Sequence, residues 1–227
     1  MKPELERGIA NVPNASFKAF RLCQPTFVSH WHYHPELELV YFAKGKGMRF
    51  IGDDISLYTE GDLFLIGENL PHTFVSYTDE ATPLAEAFCI QFPRGIFDSF
   101  AECRLLQTLF QQAKRGITFP KPDEAMIGKI QETVLTTGTA ALVRLIELLD
   151  LLGGNTTDHL PILQQAYERQ ATLADASTRL ERLSTTSTSL PAGYFVTGNS
   201  ANISFFDQRV LPLVQTEHGS NVCRLPK

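Results

Sequence analysis

Between residues 16 and 93 the chain is cut into short apolar runs by turn-forming residues at nearly even spacing, and this punctuation constrains the fold more than any other feature. Gly45 and Gly47, the run Gly52, Asp53 and Asp54, the run Glu60, Gly61 and Asp62, and the run Gly67, Glu68 and Asn69 interrupt stretches in which apolar and polar residues alternate. Strands at intervals of about 8–12 residues, separated by Gly, Asp and Asn turns, indicate a sandwich or barrel. The clearest strands are expected at 37–42, 47–51, 62–66 and 85–92. Gly52 and Asp53 read as a hairpin turn and not as a site.

From Phe97 to about Gly153 the apolar period becomes helical. Phe100, Leu105, Leu106, Leu109 and Phe110 recur at steps of three and four and stop at Lys114, Arg115 and Gly116. Met126, Ile127, Ile130 and Val134 mark a second helix. Leu142, Val143, Leu145, Ile146, Leu148, Leu149 and Leu152 mark a third, closed by Gly153 and Gly154. The third carries apolar residues on more than one face. The surplus predicts a partner helix or a second subunit; full burial within the chain is the alternative.

The most informative segment runs from His30 to Glu38: His-Trp-His-Tyr-His-Pro-Glu-Leu-Glu. On one continuous strand His30, His32, His34 and Glu38 share a face, whereas Trp31 and Tyr33 pack on the other. Facing a barrel interior, such imidazoles and a carboxylate suit Fe(II), Mn(II), Ni(II) or Zn(II) and leave positions open for a small molecule. His72, after the turn at 67–71, offers a fourth donor on a later strand. Arg49 could meet an anionic effector, but is expected to be a solvent-exposed strand arginine.

The residues His32, His34, Glu38 and Gly45, at their spacing, resemble the first cupin motif. Gly61, the run 62–66, Gly67 and His72 resemble the second, with Gly67 standing where that motif has Pro and Ser76 where it has Asn. Within the cupins the wording is similar to the sensor domain of AraC-type transcriptional regulators, over about residues 16–153. The resemblance implies a mainly β fold: a cupin (double-stranded β-helix, jelly-roll) sensor barrel at 1–95, then an α-helical dimerisation hairpin at 96–154. It implies an effector pocket lined by His30, His32, His34, Glu38 and His72, with His32, His34, Glu38 and His72 able to hold a divalent ion. It also implies a homodimer, a small-molecule effector and control of transcription. The alternative is a small metal-dependent cupin enzyme, a dioxygenase or isomerase, using the same four donors.

Regulators of this family carry two helix-turn-helix units, and residues 155–227 are expected to be a degenerate tail lacking a complete one. Residues 160–183 read as helical, and the uncharged, Ser- and Thr-rich stretch 184–204 as loop. After Ser184 there are Arg209, Arg224 and Lys227 against Asp207 and Glu217. That is too little positive charge to neutralise several phosphates, so this chain is expected to bind DNA weakly or not at all. Codons compatible with residues 221–226, shifted by one base, can read Thr-Phe-Ala-Asp-Tyr, which resembles the family's first helix-turn-helix. The reading frame is therefore expected to shift after about residue 183. The stretch 201–206 is the competing remnant of a second such unit.

The net charge of -5 excludes bulk polyanion binding. No apolar run is long enough to span a bilayer, and the N-terminal ten residues lack the apolar core of a secretory signal. Cys23, Cys89, Cys103 and Cys223 form no CxxC pair, so reduced thiols and a cytoplasmic location are expected.

Overall fold

A computed structural model describes residues 3–6, 15–27, 30–77, 83–154, 159–167, 194–197 and 204–207. The first unit covers 4–167 and is a barrel with helices on one side. Its strands are β1 (Glu4–Leu5), β2 (Lys18–Gln24), β3 (His32–Tyr33), β4 (Leu37–Lys44), β5 (Lys46–Ile51), β6 (Asp54–Tyr58), β7 (Leu63–Ile66), β8 (His72–Tyr77) and β9 (Ala85–Phe92). Two 3-10 turns, Arg94–Phe97 and Ala101–Leu105, lead to α1 (Leu106–Ala113). Then come β10 (Ile117–Phe119), α2 (Glu124–Leu135), α3 (Gly138–Gly154) and β11 (Leu160–Pro161).

Two sheets enclose the interior. One has the order β1-β3-β8-β5-β6, the other β11-β10-β7-β4-β9-β2. All pairings are antiparallel except β1 with β3. Alternation on β4 explains the two cores. Val40 and Phe42 face inward and meet Tyr58, Phe64 and Phe74, while Leu37, Leu39 and Tyr41 face outward onto the helices. The six-stranded sheet is thus covered on both faces, which is why β4 and β9 read as nearly continuous apolar runs.

The helical hairpin expected after the barrel is present as α2 and α3. Asp123 caps α2 by accepting the Met126 amide at 2.8 Å. Between α1 and α2 the chain returns to the barrel as β10, paired with β7, a short strand hidden within the helical period. Gly116, at φ +62°, makes the reversal from α1 into β10.

Four expectations change. Leu145, Leu148, Leu149 and Leu152 are completely buried against the six-stranded sheet, so the seam expected to join a partner belongs to the core of one chain. Residues 160–167 do not continue a helix: Leu160 and Pro161 add an edge strand to β10, and Ile162 and Leu163 donate their amides to the carbonyls of Gly116 and Arg115. The remainder of the expected 160–183 helix lies outside the described residues. In a separate unit, β12 (Tyr194–Thr197) pairs antiparallel with β13 (Ser204–Asp207). Residues 194–197 are therefore strand and not loop. The proposed helix-turn-helix remnant at 201–206 ends in a strand, because Ser204, Phe205 and Phe206 enter that ladder. The rest of the tail, including the suggested frame shift, falls outside the described residues.

Candidate functional site

The histidine segment is not one strand. β3 ends at Tyr33, the chain bends at Pro35 and Glu36, and β4 begins at Leu37 in the opposite sheet. Proline has no amide to give a ladder and holds the preceding residue extended, so the corner falls where Pro35 stands. The turn at 67–70 secures it: the Asn69 amide donates to the His34 carbonyl at 2.8 Å. The same turn delivers His72 to β8, directly opposite His32 in the ladder.

Despite the bend, four of the five expected residues converge. One ligand atom from each of His32, His34, Glu38 and His72 lies within 4.8 Å of the others. His34, Glu38 and His72 are buried and His32 is half-buried. His30 is not among them. It is exposed, and it contributes its carbonyl oxygen to His32 Nδ1 at 2.7 Å. Of the two outward residues, Tyr33 is buried and Trp31 half-buried.

Each converging imidazole is anchored by the same nitrogen. His32 Nδ1, His34 Nδ1 and His72 Nδ1 lie 2.7, 3.1 and 2.8 Å from the carbonyl oxygens of His30, Glu36 and Leu70. With Nδ1–H donated outward, the three Nε2 atoms face the centre. This outer hydrogen bond is what orients imidazoles that ligate metals. Glu38 Oε2 lies 3.0 Å from His34 Nε2, 3.8 Å from His72 Nε2, and accepts Gln91 Nε2 at 2.8 Å. His32 Nε2 lies 3.0 Å from Glu6 Oε2, on the N-terminal strand beside β3.

Charge follows from these contacts. Burial pushes the Glu38 carboxyl up, but the hydrogen bond from His34 and the nearness of the His72 ring hold it well below its ordinary range. Burial pulls His34 down, and Glu38 more than restores it, so its pKa is raised. For His72 burial prevails over Glu38 and the pKa is lowered. His72 therefore stays neutral, its buried Nε2 without a hydrogen-bond partner among the described residues. An orphaned ring nitrogen aimed at a carboxylate and two further imidazoles is a donor set that fits a divalent cation.

Glu6 and Gln91 were not evident from the sequence. Gln91 leaves a trace: it interrupts an otherwise apolar inward face of β9, after Cys89 and Ala87. Glu6 leaves none, because it acts through the parallel pairing of β1 with β3, which no local pattern announces. Arg49 also departs from expectation. Its side chain is only 13% exposed and pairs with Asp54 at 3.4 Å, because it occupies the inward parity of β5. The unusual motif residues have local causes. A Cβ on Gly67 would strike the Ala113 carbonyl, and the Ser76 hydroxyl accepts the Phe27 amide.

A family model, the AraC-like ligand binding domain, matches residues 14–149. The chain belongs to this family. The AraC-like barrel is similar to ToxT from Vibrio cholerae bound to (E)-4-(8-methylnaphthalen-1-yl)but-3-enoic acid, at 9% identity and TM-score 0.47, over 78% of this chain and 69% of that one. Apo ToxT K231A from the same organism matches at 11% identity and TM-score 0.48, over 79% and 68% of the two chains. A Cupin 2 conserved barrel domain protein from Salinispora arenicola matches at 18% identity and TM-score 0.32, over 40% and 76%. No curated protein matches this AraC-like chain. No helix among its described residues is long and apolar enough to cross a membrane.

Proposed function

We propose that the barrel receives a small effector and that the chain is the sensing part of a transcriptional regulator. The observation that carries this reading is the inward convergence of His32, His34, Glu38 and His72 inside an AraC-like ligand binding domain. Effector binding biases the chain between states that present a DNA-reading partner segment differently. His32, His34 and His72 through Nε2, with Glu38 through a carboxylate oxygen, would hold a divalent ion such as Zn, Fe, Mn or Ni. Such an ion supplies a Lewis-acid contact for an effector oxygen. The chain's own residues set the tautomers, exclude water by burial, and keep Gln91 on the carboxylate.

Two chains associate through the outward side of α2 and α3, where Leu135 and Val143 remain exposed. Thermal denaturation of the full chain against a library of small metabolites tests the sensing role. A ligand that binds only the native state raises Tm by mass action. A stabilising compound whose effect disappears in His34→Ala supports the reading; a library without any stabilising compound contradicts it. The four-donor set also supports a second reading, a metal-dependent cupin dioxygenase or isomerase. Dioxygen consumption or substrate isomerisation by the metal-loaded chain would favour that reading.

A further inference from the structure

Arg49 brings two unpaired buried nitrogens to the inside of the barrel. It lies opposite Phe74 on β8 and opposite Ser56 on β6, and Phe74 is an interior residue, so Arg49 shares the inward face. Its guanidinium covers the ring of Phe64 on the facing sheet, 4.8 Å from the centroid. Nε and Nη1 are buried and have no hydrogen-bond partner among the described residues. A guanidinium has five N–H donors and no acceptor, and three of those donors belong to these two nitrogens.

Asp54 pairs with Nη2 alone and leaves Nε and Nη1 without a partner among the described residues. Its Oδ2 stands 3.4 Å from Nη2, while its Oδ1 accepts the Ser56 hydroxyl at 3.1 Å. Burial lowers the Arg49 pKa in spite of Asp54 and Asp62, so these carboxylates compensate only part of the desolvation cost. Donors left unpaired in a buried place are costly, and a ligand oxygen that reached them would gain charge-assisted bonds.

We propose that Arg49 is the anion-binding residue of the effector pocket, taking the carboxylate of an amphipathic acid whose apolar body lies on Phe64 and Phe74. The proposal rests on the reading of the barrel as effector-binding and adds the chemical class of the effector. The rings beside Arg49 favour this class. Phe42, Phe64 and Phe74 lie within 6.1 Å of one another by ring centroids. They offer neither donors nor acceptors, so a polyol would leave its hydroxyls unpaired there, whereas an aryl or alkyl body loses nothing. In the structure Nε and Nη1 of Arg49 are sealed from solvent, so the acid displaces the packing of these rings as it reaches them.

The test uses the full chain with benzoate, phenylacetate, hexanoate and decanoate, each beside its neutral amide, followed by thermal shift and titration calorimetry. At least one carboxylate binds and stabilises the wild type, and its amide does not. Arg49→Gln weakens that carboxylate by about tenfold or more, the loss expected for a charge-assisted bond, and Arg49→Lys falls between. Asp54→Asn, which removes the competing carboxylate, tightens binding. The proposal is overturned if no carboxylate binds, if amides bind equally, or if Arg49→Gln binds like the wild type. Should Arg49→Gln fail to fold, carboxylate affinity unchanged by Asp54→Asn overturns it. Neutral ligands that stabilise the wild type and Arg49→Gln alike would remove the anion assignment and leave the sensing role standing. The absence of any ligand of any class would remove both.

Discussion

Glu38 and His34, four residues apart on opposite sides of a bend, face each other across 3.0 Å inside the barrel. The contact spans the corner at which the chain leaves one sheet for the other, so one ion pair ties the two sheets together. Gln91 and His72 complete the surroundings of the same carboxylate oxygen.

Replacing Glu38 with Ala removes the acceptor shared by His34 and Gln91 and leaves both donors buried. Unpaired buried donors cost about 1–3 kcal/mol. The expected outcome is a lower denaturation midpoint with an unchanged m-value, measured by urea unfolding. A midpoint equal to that of the wild type would show that water replaces the carboxylate without loss.

Docking of β1 should depend on pH through the Glu6–His32 pair. Burial lowers the His32 pKa, but Glu6, the His30 carbonyl and Glu38 outweigh it, so the ring is raised above its ordinary 6.5. Its stabilising contribution is fully present below 6.5 and is lost as pH rises through the raised value. Glu6 is lowered from 4.5, chiefly by its hydrogen bond to His32, so its contribution is present above 4.5 and lost as pH falls through the lowered value. Protection of the Glu4 and Glu6 amides, which donate to the Trp31 and Tyr33 carbonyls, taken relative to their intrinsic exchange rate at each pH, should be greatest between 4.5 and 6.5. In Glu6→Gln that maximum should flatten; its persistence would assign the pH dependence to another group.

Most of the barrel was legible because turn residues and a period of two dominate residues 37–92. In the histidine segment, alternation alone does not distinguish a straight strand from one that bends at Pro35 and resumes in register. Parity survives the bend, so His32, His34 and Glu38 stay together, while His30, expected to line the pocket and not to join the four donors, stands exposed. β10 was missed because three residues between two helices carry no period. The charge of Arg49 suggests an exposed position, but its parity with Ile51, two residues along the same face and completely buried, sets it inward. The apolar surplus of α3 was real, but a sheet buried on both faces absorbs it within one chain.

Leu145→Glu and Leu149→Glu should therefore unfold the domain and not merely separate subunits. Truncating a buried Leu already costs about 2–5 kcal/mol, and a buried carboxylate adds its desolvation. Val143→Glu with Leu135→Glu, at exposed positions, should leave Tm nearly unchanged and test association by sedimentation. A dimer that survives the second pair would place the interface elsewhere.

Gly67→Ala should destabilise the chain by about 1–3 kcal/mol, since the added methyl meets the backbone carbonyl of Ala113 and neither segment can yield freely. Thermal denaturation checks this. An unchanged Tm would mean that the end of α1 shifts at no cost.

Native mass spectrometry of the full chain measures most directly whether the four inward donors hold a common guest. After treatment with a chelator and addition of Zn(II), Mn(II), Ni(II) or Fe(II) in turn, the wild type should retain one ion per chain, and His34→Ala and His72→Ala should retain none. Failure of the wild type to retain any of these ions, or equal retention by both variants, would contradict the assignment of His32, His34, Glu38 and His72 as one site.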